Sequence, residues 1–154
     1  MIYKSTKKQL WEERFLPKLK LMHANHAKKI FHRLMKKSST LKSSLKRRSK
    51  EYEVKCNVTL DEIRTLFYKA YGKPCRYCKR CLDISNIVCD HHYPISMGGD
   101  SSVRNLQIIC NSCNTRKGSL KDKDYRALLA FLNKHPDMKS YVLRKLAKGD
   151  NFNK

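Results

Sequence analysis

The sequence predicts a small α+β protein in which helices flank a short β hairpin. Two Cys-x-x-Cys pairs lie 31 residues apart in the middle of the chain, and that gap is long enough to contain folded structure. Within the gap, residues 86–89 and 106–109 are short β-branched segments, as is typical of hairpin strands. Apolar residues at helical spacing recur on both sides. We therefore expect a basic helical arm over 1–50, a core over 51–119 and C-terminal helices over 120–154.

The arm, residues 1–50, is the most basic part of the chain. It contains 16 of the 35 lysines and arginines but two of the 13 acids, so it carries +14 of the net charge of +22. Such a charge favours a polyanionic partner, with nucleic acid first and an acidic membrane surface second. Thr6 and Gln9 fit a capping box at a helix start, and Pro17 is expected to break or kink that helix. The apolar residues of the arm fall on one helical stripe: Trp11, Phe15, Leu19, Met22, Ile30 and Leu34.

The end of the arm, residues 38–50, is expected to be a flexible basic linker. It holds six Ser or Thr and five Lys or Arg, a composition typical of linkers. Lys46, Arg47 and Arg48 in this segment are candidates for nucleic-acid contacts. Three alternatives remain open for the apolar stripe: it packs on the core, it packs on a second copy of the chain, or it stays unpacked until a nucleic acid is bound.

The apolar runs and the cysteines predict where in the cell the protein functions and whether it spans a membrane. No run of eighteen or more apolar residues is present, so no segment is expected to span a membrane. The N-terminus lacks the apolar stretch of a signal peptide, which predicts a reducing cytoplasm. The seven cysteines are then expected to be thiols or metal ligands, and their odd number argues against a complete disulfide framework.

Further helices are predicted on either side of the hairpin. Thr59 and Glu62 form a second capping box, and Gly72 stands where a helix C-terminus favours glycine. Ser119 and Asp122 are expected to begin the next helix, which His135-Pro136 ends before a last helix stops near residue 149.

Four cysteines are predicted to bind a structural Zn²⁺: Cys75, Cys78, Cys110 and Cys113. Tetrahedral zinc accepts four thiolates, and a two-residue spacer lets both sulfurs of one pair reach the same ion. Cys81 offers an alternative pair with Cys78, but the Gly-Lys-Pro turn at 72–74 favours Cys75 as the partner. Cys56 and Cys89 are expected to be small core residues.

The segment between and across these cysteine pairs carries an ordered motif. It reads Asp90-His91-x-x-Pro94, then Gly98-Gly99, Asn105-Leu106 and Cys110-x-x-Cys113-Asn114-x-x-Lys117. This order resembles the HNH endonuclease family over roughly residues 59–119, with Asn114 where some members carry His. The resemblance implies a ββα-metal fold for the core and metal-dependent hydrolysis of DNA.

The resemblance also implies a role for each motif residue. His91 is the expected general base, a task for which a neutral imidazole is suited near neutral pH. Asp90 and Asn114 are the expected ligands of a catalytic Mg²⁺ or another divalent cation, which prefers oxygen donors. Asn105 is expected to tie the intervening loop so that the imidazole is aimed. Pro94 lies three residues after His91, as the motif requires, so His92 is interpreted as a packing or phosphate-contacting residue.

The motif also predicts the directions of two neighbouring side chains and the role of two basic residues. Asp90 and His91 are strand neighbours, so their side chains should leave opposite faces unless the strand bulges. Arg116 and Lys117, beside Asn114, are expected to neutralise phosphate.

The resulting hypothesis is a magnesium-dependent HNH endonuclease that nicks or cuts double-stranded DNA. Its leading biological role is that of a phage or intron-encoded homing endonuclease, with restriction or phage DNA processing close behind. The alternative from another class is a non-catalytic, zinc-stapled nucleic-acid-binding protein.

Overall fold

The computed structural model describes residues 6–149, which form helices around one small antiparallel sheet. The helices of this part of the chain are α1 (Lys7–His23), α2 (Ala27–Glu51), α3 (Leu60–Ala70), α4 (Asn111–Lys117), α5 (Asp122–Lys134) and α6 (Pro136–Leu146). The strands are β1 (Ile87–His91) and β2 (Leu106–Cys110). The predicted α+β class is confirmed.

The first helices form the arm, and they are more regular than the sequence predicts. The capping box of Thr6 and Gln9 is present, and α1 continues through Pro17 to His23 instead of breaking early. A short 3₁₀ turn then leads into α2. The predicted linker over 38–50 is wrong, because α2 runs unbroken to Glu51.

The serines of α2 explain why this segment is helical. Ser38 and Ser49 lie on the buried stripe of the helix together with Leu45. The Ser38 hydroxyl donates to the Leu34 carbonyl oxygen at 2.8 Å, so its burial leaves no unsatisfied donor. Composition suggested a linker, whereas spacing and hydrogen bonding place these residues on a helix.

Both arm helices pack on the rest of the protein. The buried side chains Phe15, Leu19 and Leu34 belong to the same hydrophobic core as Ile63 and Phe67 of α3. Edge contacts and hydrogen bonds reinforce this packing: the rings of Phe15 and Tyr68 meet edge to face at 5.1 Å, and the Trp11 indole N–H donates to Asp61 Oδ1 at 3.0 Å. Of the three alternatives for the apolar stripe, the structure has the one in which the stripe packs on the core.

The hairpin and the helix after it form a ββα unit. β1 and β2 pair antiparallel, with Ile87 opposite Cys110 and His91 opposite Leu106. Both strands extend slightly beyond the predicted segments. Cys110 ends β2 and is also the N-cap residue of α4, so helix and strand are joined without a loop.

The C-terminal helices attach to this unit. α5 begins at Asp122 with Lys121 at the N-cap position, so the predicted cap by Ser119 is wrong. The Asp122 backbone N–H donates to the His92 carbonyl oxygen at 2.8 Å, which fixes the start of α5 against the end of β1. α6 begins with Pro136 in its first turn and contacts α4.

Candidate functional site

The predicted cysteine quartet comes together at one end of the hairpin. We call it the cysteine cluster: Cys75, Cys78, Cys110 and Cys113. Its four sulfur atoms all lie within 4.8 Å of one another, and the Sγ atoms of Cys78 and Cys110 are 3.6 Å apart. A tetrahedron with Zn–S bonds of about 2.3 Å has edges of about 3.8 Å, so the donors fit one tetrahedral ion. Cys81 lies outside the cluster, which excludes the alternative register.

Local backbone geometry shapes the cluster. The Lys79 N–H donates to the Cys75 carbonyl oxygen at 2.9 Å, and Lys79 adopts a left-handed φ of 64°, which closes a tight turn. A hydrogen bond from Cys113 to Cys75 lowers the pKa of the Cys75 thiol, although burial opposes it. The hydrogen bond to Cys75 and burial raise the pKa of Cys113, so a bound cation would be needed before all four groups are thiolates.

A cleft of about 250 Å³ lies at the other end of the hairpin. We call it the hairpin cleft, and its lining includes Asp90, His91, Asn114 and Arg48. It brings together the predicted base and both predicted ligands of the catalytic cation. Asp90 and His91 both line it although β1 pairs with β2 in regular register up to His91, so no bulge is needed to bring the two residues to one cleft.

His91 ends β1 and is held from the side of the arm. The side chain is buried (5% exposed), and its Nε2 lies 3.0 Å from Ser101 Oγ. The Ser101 hydroxyl is in turn 2.8 Å from that of Ser49 on α2. Because Nε2 is engaged, Nδ1 is the ring nitrogen left for a reactant. Burial, followed by the charge of Arg48, lowers the pKa of His91 to about 4, so the ring is neutral at neutral pH.

Asp90 is held by a buried lysine and a glutamine from the paired strand. Lys117 Nζ lies 2.9 Å from Asp90 Oδ2, and Gln107 Nε2 donates to the same oxygen at 3.0 Å. Both contacts end on Oδ2, which leaves Oδ1 for a cation. Lys117 also donates to the His91 carbonyl oxygen at 3.0 Å and is 1% exposed. The expectation that Lys117 neutralises phosphate is therefore wrong, because its ammonium group is buried against Asp90.

Asn105 ties the loop that joins the strands. Its Oδ1 accepts the Tyr93 N–H at 2.8 Å, while its Nδ2 donates to the carbonyl oxygens of Tyr93 and Asp100 at 3.0 and 2.8 Å. Gly99 lies inside this loop, where an added Cβ would stand 2.0 Å from the Tyr93 carbonyl oxygen. A side chain at position 99 would therefore push the loop away from the hairpin cleft.

A comparison with protein families matches residues 75–120 to the model described as HNH endonuclease. This segment is an HNH endonuclease domain. The match covers the cysteine cluster, the hairpin and α4. The match to this segment suggests a nuclease, and HNH endonucleases act on DNA, generally with a divalent cation. No curated protein and no solved structure matches the chain. Within residues 6–149, no helix combines the length and apolar character needed to cross a bilayer.

Polar contacts made by residues outside the motif link the two ends of the hairpin within the HNH domain. Gln107 contacts Asp90, accepts from Arg76 Nη1 at 3.0 Å and donates to the Tyr77 hydroxyl at 2.8 Å. The Tyr77 hydroxyl donates to Asp122. Arg76 and Tyr77 lie between the first two cysteines, so the cysteine cluster is connected to Asp90. The role of Gln107 follows from the pairing of the two strands, in which Gln107 lies directly opposite Asp90.

The remaining predicted residues lie at different distances from the cleft of the HNH domain. Arg48 lines the cleft, whereas Lys46 and Arg47 are exposed, and Arg47 Nη1 lies 3.5 Å from Glu51. Arg116 is half-buried, with an Nε that has no hydrogen-bond partner in the described part of the chain. His92 faces Asp122, with 3.9 Å between Nδ1 and Oδ2, which suits the packing role.

Proposed function

We propose that this chain is a divalent-metal-dependent endonuclease that hydrolyses phosphodiester bonds of double-stranded DNA. One observation carries the proposal: within the HNH domain, a neutral imidazole, a carboxylate and an amide line the same cleft. These groups match the needs of the reaction, which are a base for water and oxygen ligands for a cation.

In this proposal, His91 Nδ1 accepts a proton from the attacking water. The buried contact between Nε2 and Ser101 holds the ring in place while Nδ1 acts. Asp90 Oδ1 and the Asn114 amide oxygen are the proposed cation ligands, and when bound, Mg²⁺ or a similar ion stabilises the charge that develops on phosphate. Arg48 supplies a second positive charge in the cleft.

The cysteine cluster is proposed to bind a structural Zn²⁺, because four thiolates satisfy its coordination and leave no open position. Free thiols at all seven cysteines suit a reducing cytoplasm, where we place the activity. For the biological role, we propose homing or phage DNA processing, whose test is a cleavage map on DNA from the source genome.

The decisive experiment compares His91→Ala with its neighbour control His92→Ala on plasmid DNA with Mg²⁺. Loss of a general base lowers rates by about 10²–10⁴-fold, so His91→Ala should remove cleavage while DNA affinity stays within about twofold. His92→Ala should keep most of the activity. If His91→Ala cleaves DNA and His92→Ala does not, the general base is His92 and not His91.

A protein that binds DNA but never cuts it would support the non-catalytic alternative. That outcome requires folded, zinc-loaded protein and no nicking with Mg²⁺, Mn²⁺ or Ni²⁺. Nicking that persists in excess EDTA, while zinc is retained, would contradict the metal requirement.

A further inference from the structure

A second and larger cavity of about 640 Å³ lies between α2 and β1. We call it the α2 groove. Its basic and polar wall comes from α2: Arg33, Lys36, Lys37, Thr40, Ser44 and Arg48. Its opposite side is apolar and includes Ile84 and Val88. None of the HNH motif residues lines it.

The wall of the α2 groove is a single stripe of one helix. Its members follow each other at intervals of one, three or four residues from Arg33 to Arg48, which keeps their side chains on the same side of α2. Fifteen steps at 1.5 Å each give the stripe a length of about 22 Å. The wall therefore offers cations along a line rather than at one point.

In the part of the chain that the structure describes, these cations have no carboxylate partners. Within residues 6–149, no salt bridge involves Arg33, Lys36, Lys37 or Arg48, and no Asp or Glu lines the groove. Like charges crowd each other here, since burial and then the charge of Arg33 lower the pKa of Lys37. A concave row of unpaired cations attracts a polyanion.

The α2 groove adjoins the hairpin cleft. Arg48 and Cys89 line both cavities, so these two residues mark the place where the cavities meet. A polymer with one phosphate beside His91 and its next phosphates past Arg48 would reach the row of cations.

We propose that the α2 groove binds the phosphodiester backbone of DNA on one side of the phosphate that occupies the hairpin cleft. Phosphates face the cations of α2, and deoxyribose packs on the apolar side formed by Ile84 and Val88. The claim that the bound strand is the one that is cut rests on the proposed function. The claim that DNA lies in the groove does not.

The test uses two triple variants of α2 that remove the same charge. Arg33→Gln/Lys36→Gln/Lys37→Gln removes three groove cations, and Lys28→Gln/Lys29→Gln/Lys50→Gln removes three exposed cations that do not line the groove. Glutamine is a good helix former, so both proteins should keep their unfolding temperature. The probe is a short DNA duplex of random sequence, measured by fluorescence anisotropy over a range of salt concentrations without divalent cation.

Each lost phosphate contact lowers the slope of log affinity against log salt by about 0.9. The groove variant should therefore lose about 2–3 units of slope, and the control less than about 1. Equal slopes for the two variants would overturn the proposal, even if the protein cuts DNA. If the two variants differ in slope as expected but the protein does not cleave DNA, the groove binds DNA and the proposed endonuclease activity is wrong.

A second pair of variants adds charge instead of removing it. Ser44→Glu places a carboxylate in the α2 groove, and Ser43→Glu places it at an exposed neighbouring position outside. The first should weaken DNA binding at least fivefold more than the second. Equal weakening, or tighter binding of an RNA duplex that shows the same dependence on Ser44, would contradict a DNA site in the groove.

Discussion

The two ends of the hairpin hold polar sites that depend on the rest of the protein to different degrees. The cysteine cluster is shaped by its own turn and by the N-terminus of α4, which adjoins β2. The hairpin cleft also depends on the arm, because Ser49 of α2 contacts Ser101, which contacts His91. Ligand spacing can therefore encode a metal cluster almost completely, whereas the orientation of a base depends on tertiary packing.

The largest effect is expected at the cysteine cluster. Cys110→Ser should remove zinc and the cooperative unfolding transition, because structural zinc contributes on the order of 10 kcal/mol to small domains. Zinc per chain and thermal unfolding measure this. Cys81→Ser is the control, because Cys81 is exposed and lies outside the cluster. Loss of zinc from Cys81→Ser with retention in Cys110→Ser would reverse the assignment of ligands.

The next effect tests whether the arm braces the core without changing zinc binding at the cysteine cluster. Phe15→Ala removes a fully buried ring and should lower the free energy of unfolding by roughly 3–5 kcal/mol. Leu21→Ala on the same helix should change it by less than about 0.5 kcal/mol, because Leu21 is 91% exposed. Urea titration measures both, and zinc content should be normal in the folded fraction. An unchanged stability of Phe15→Ala would show that the arm does not brace the core.

Lys117→Met should destabilise the protein by about 3 kcal/mol, because it leaves the Asp90 carboxylate without its buried cation. Lys123→Met, at an exposed position of α5, serves as the control. The free energy of unfolding and the cleavage rate are the readouts. If Lys117→Met is as stable as its control, the ion pair with Asp90 does not stabilise the fold.

The smallest effect is expected at the contact between the arm and the base. Ser49→Ala removes one buried hydrogen bond, which costs about 1 kcal/mol, and should slow cleavage a few-fold by loosening Ser101 and His91. Ser43→Ala makes the same chemical change at an exposed position of α2 and should not slow cleavage. Equal cleavage rates for these two variants would show that the arm does not help to position His91.

Local patterns predicted much of the fold. Two capping boxes, the hairpin and the cysteine cluster depend on residues close in sequence or on fixed ligand spacing, and all are present. The family motif also placed Asp90, His91 and Asn114 in one cleft, although their chemical roles stay predictions.

The errors arose where burial contradicts composition. Serine and lysine content over 38–50 indicated a linker, but Ser38 and Ser49 occupy the apolar stripe of α2 with their hydroxyls bonded. Lys117 was expected to neutralise phosphate, yet it follows the buried Cys113 by four residues and so lies on the same buried face of α4. Helical spacing relative to a metal ligand was the signal for that burial.

The continuity of α2 has a consequence for how the chain can tolerate changes in length. One rigid rod carries the groove cations near its middle and Arg48 and Ser49 near its end, so their relative azimuth is fixed by the residue count between them. One residue inserted between Lys37 and Leu45 would rotate everything downstream by about 100°, turning Arg48 away from the hairpin cleft and Ser49 away from Ser101. A flexible linker would tolerate such an insertion, whereas this continuous helix does not. Variants of this sequence that keep their function should therefore differ here by substitutions and not by insertions or deletions.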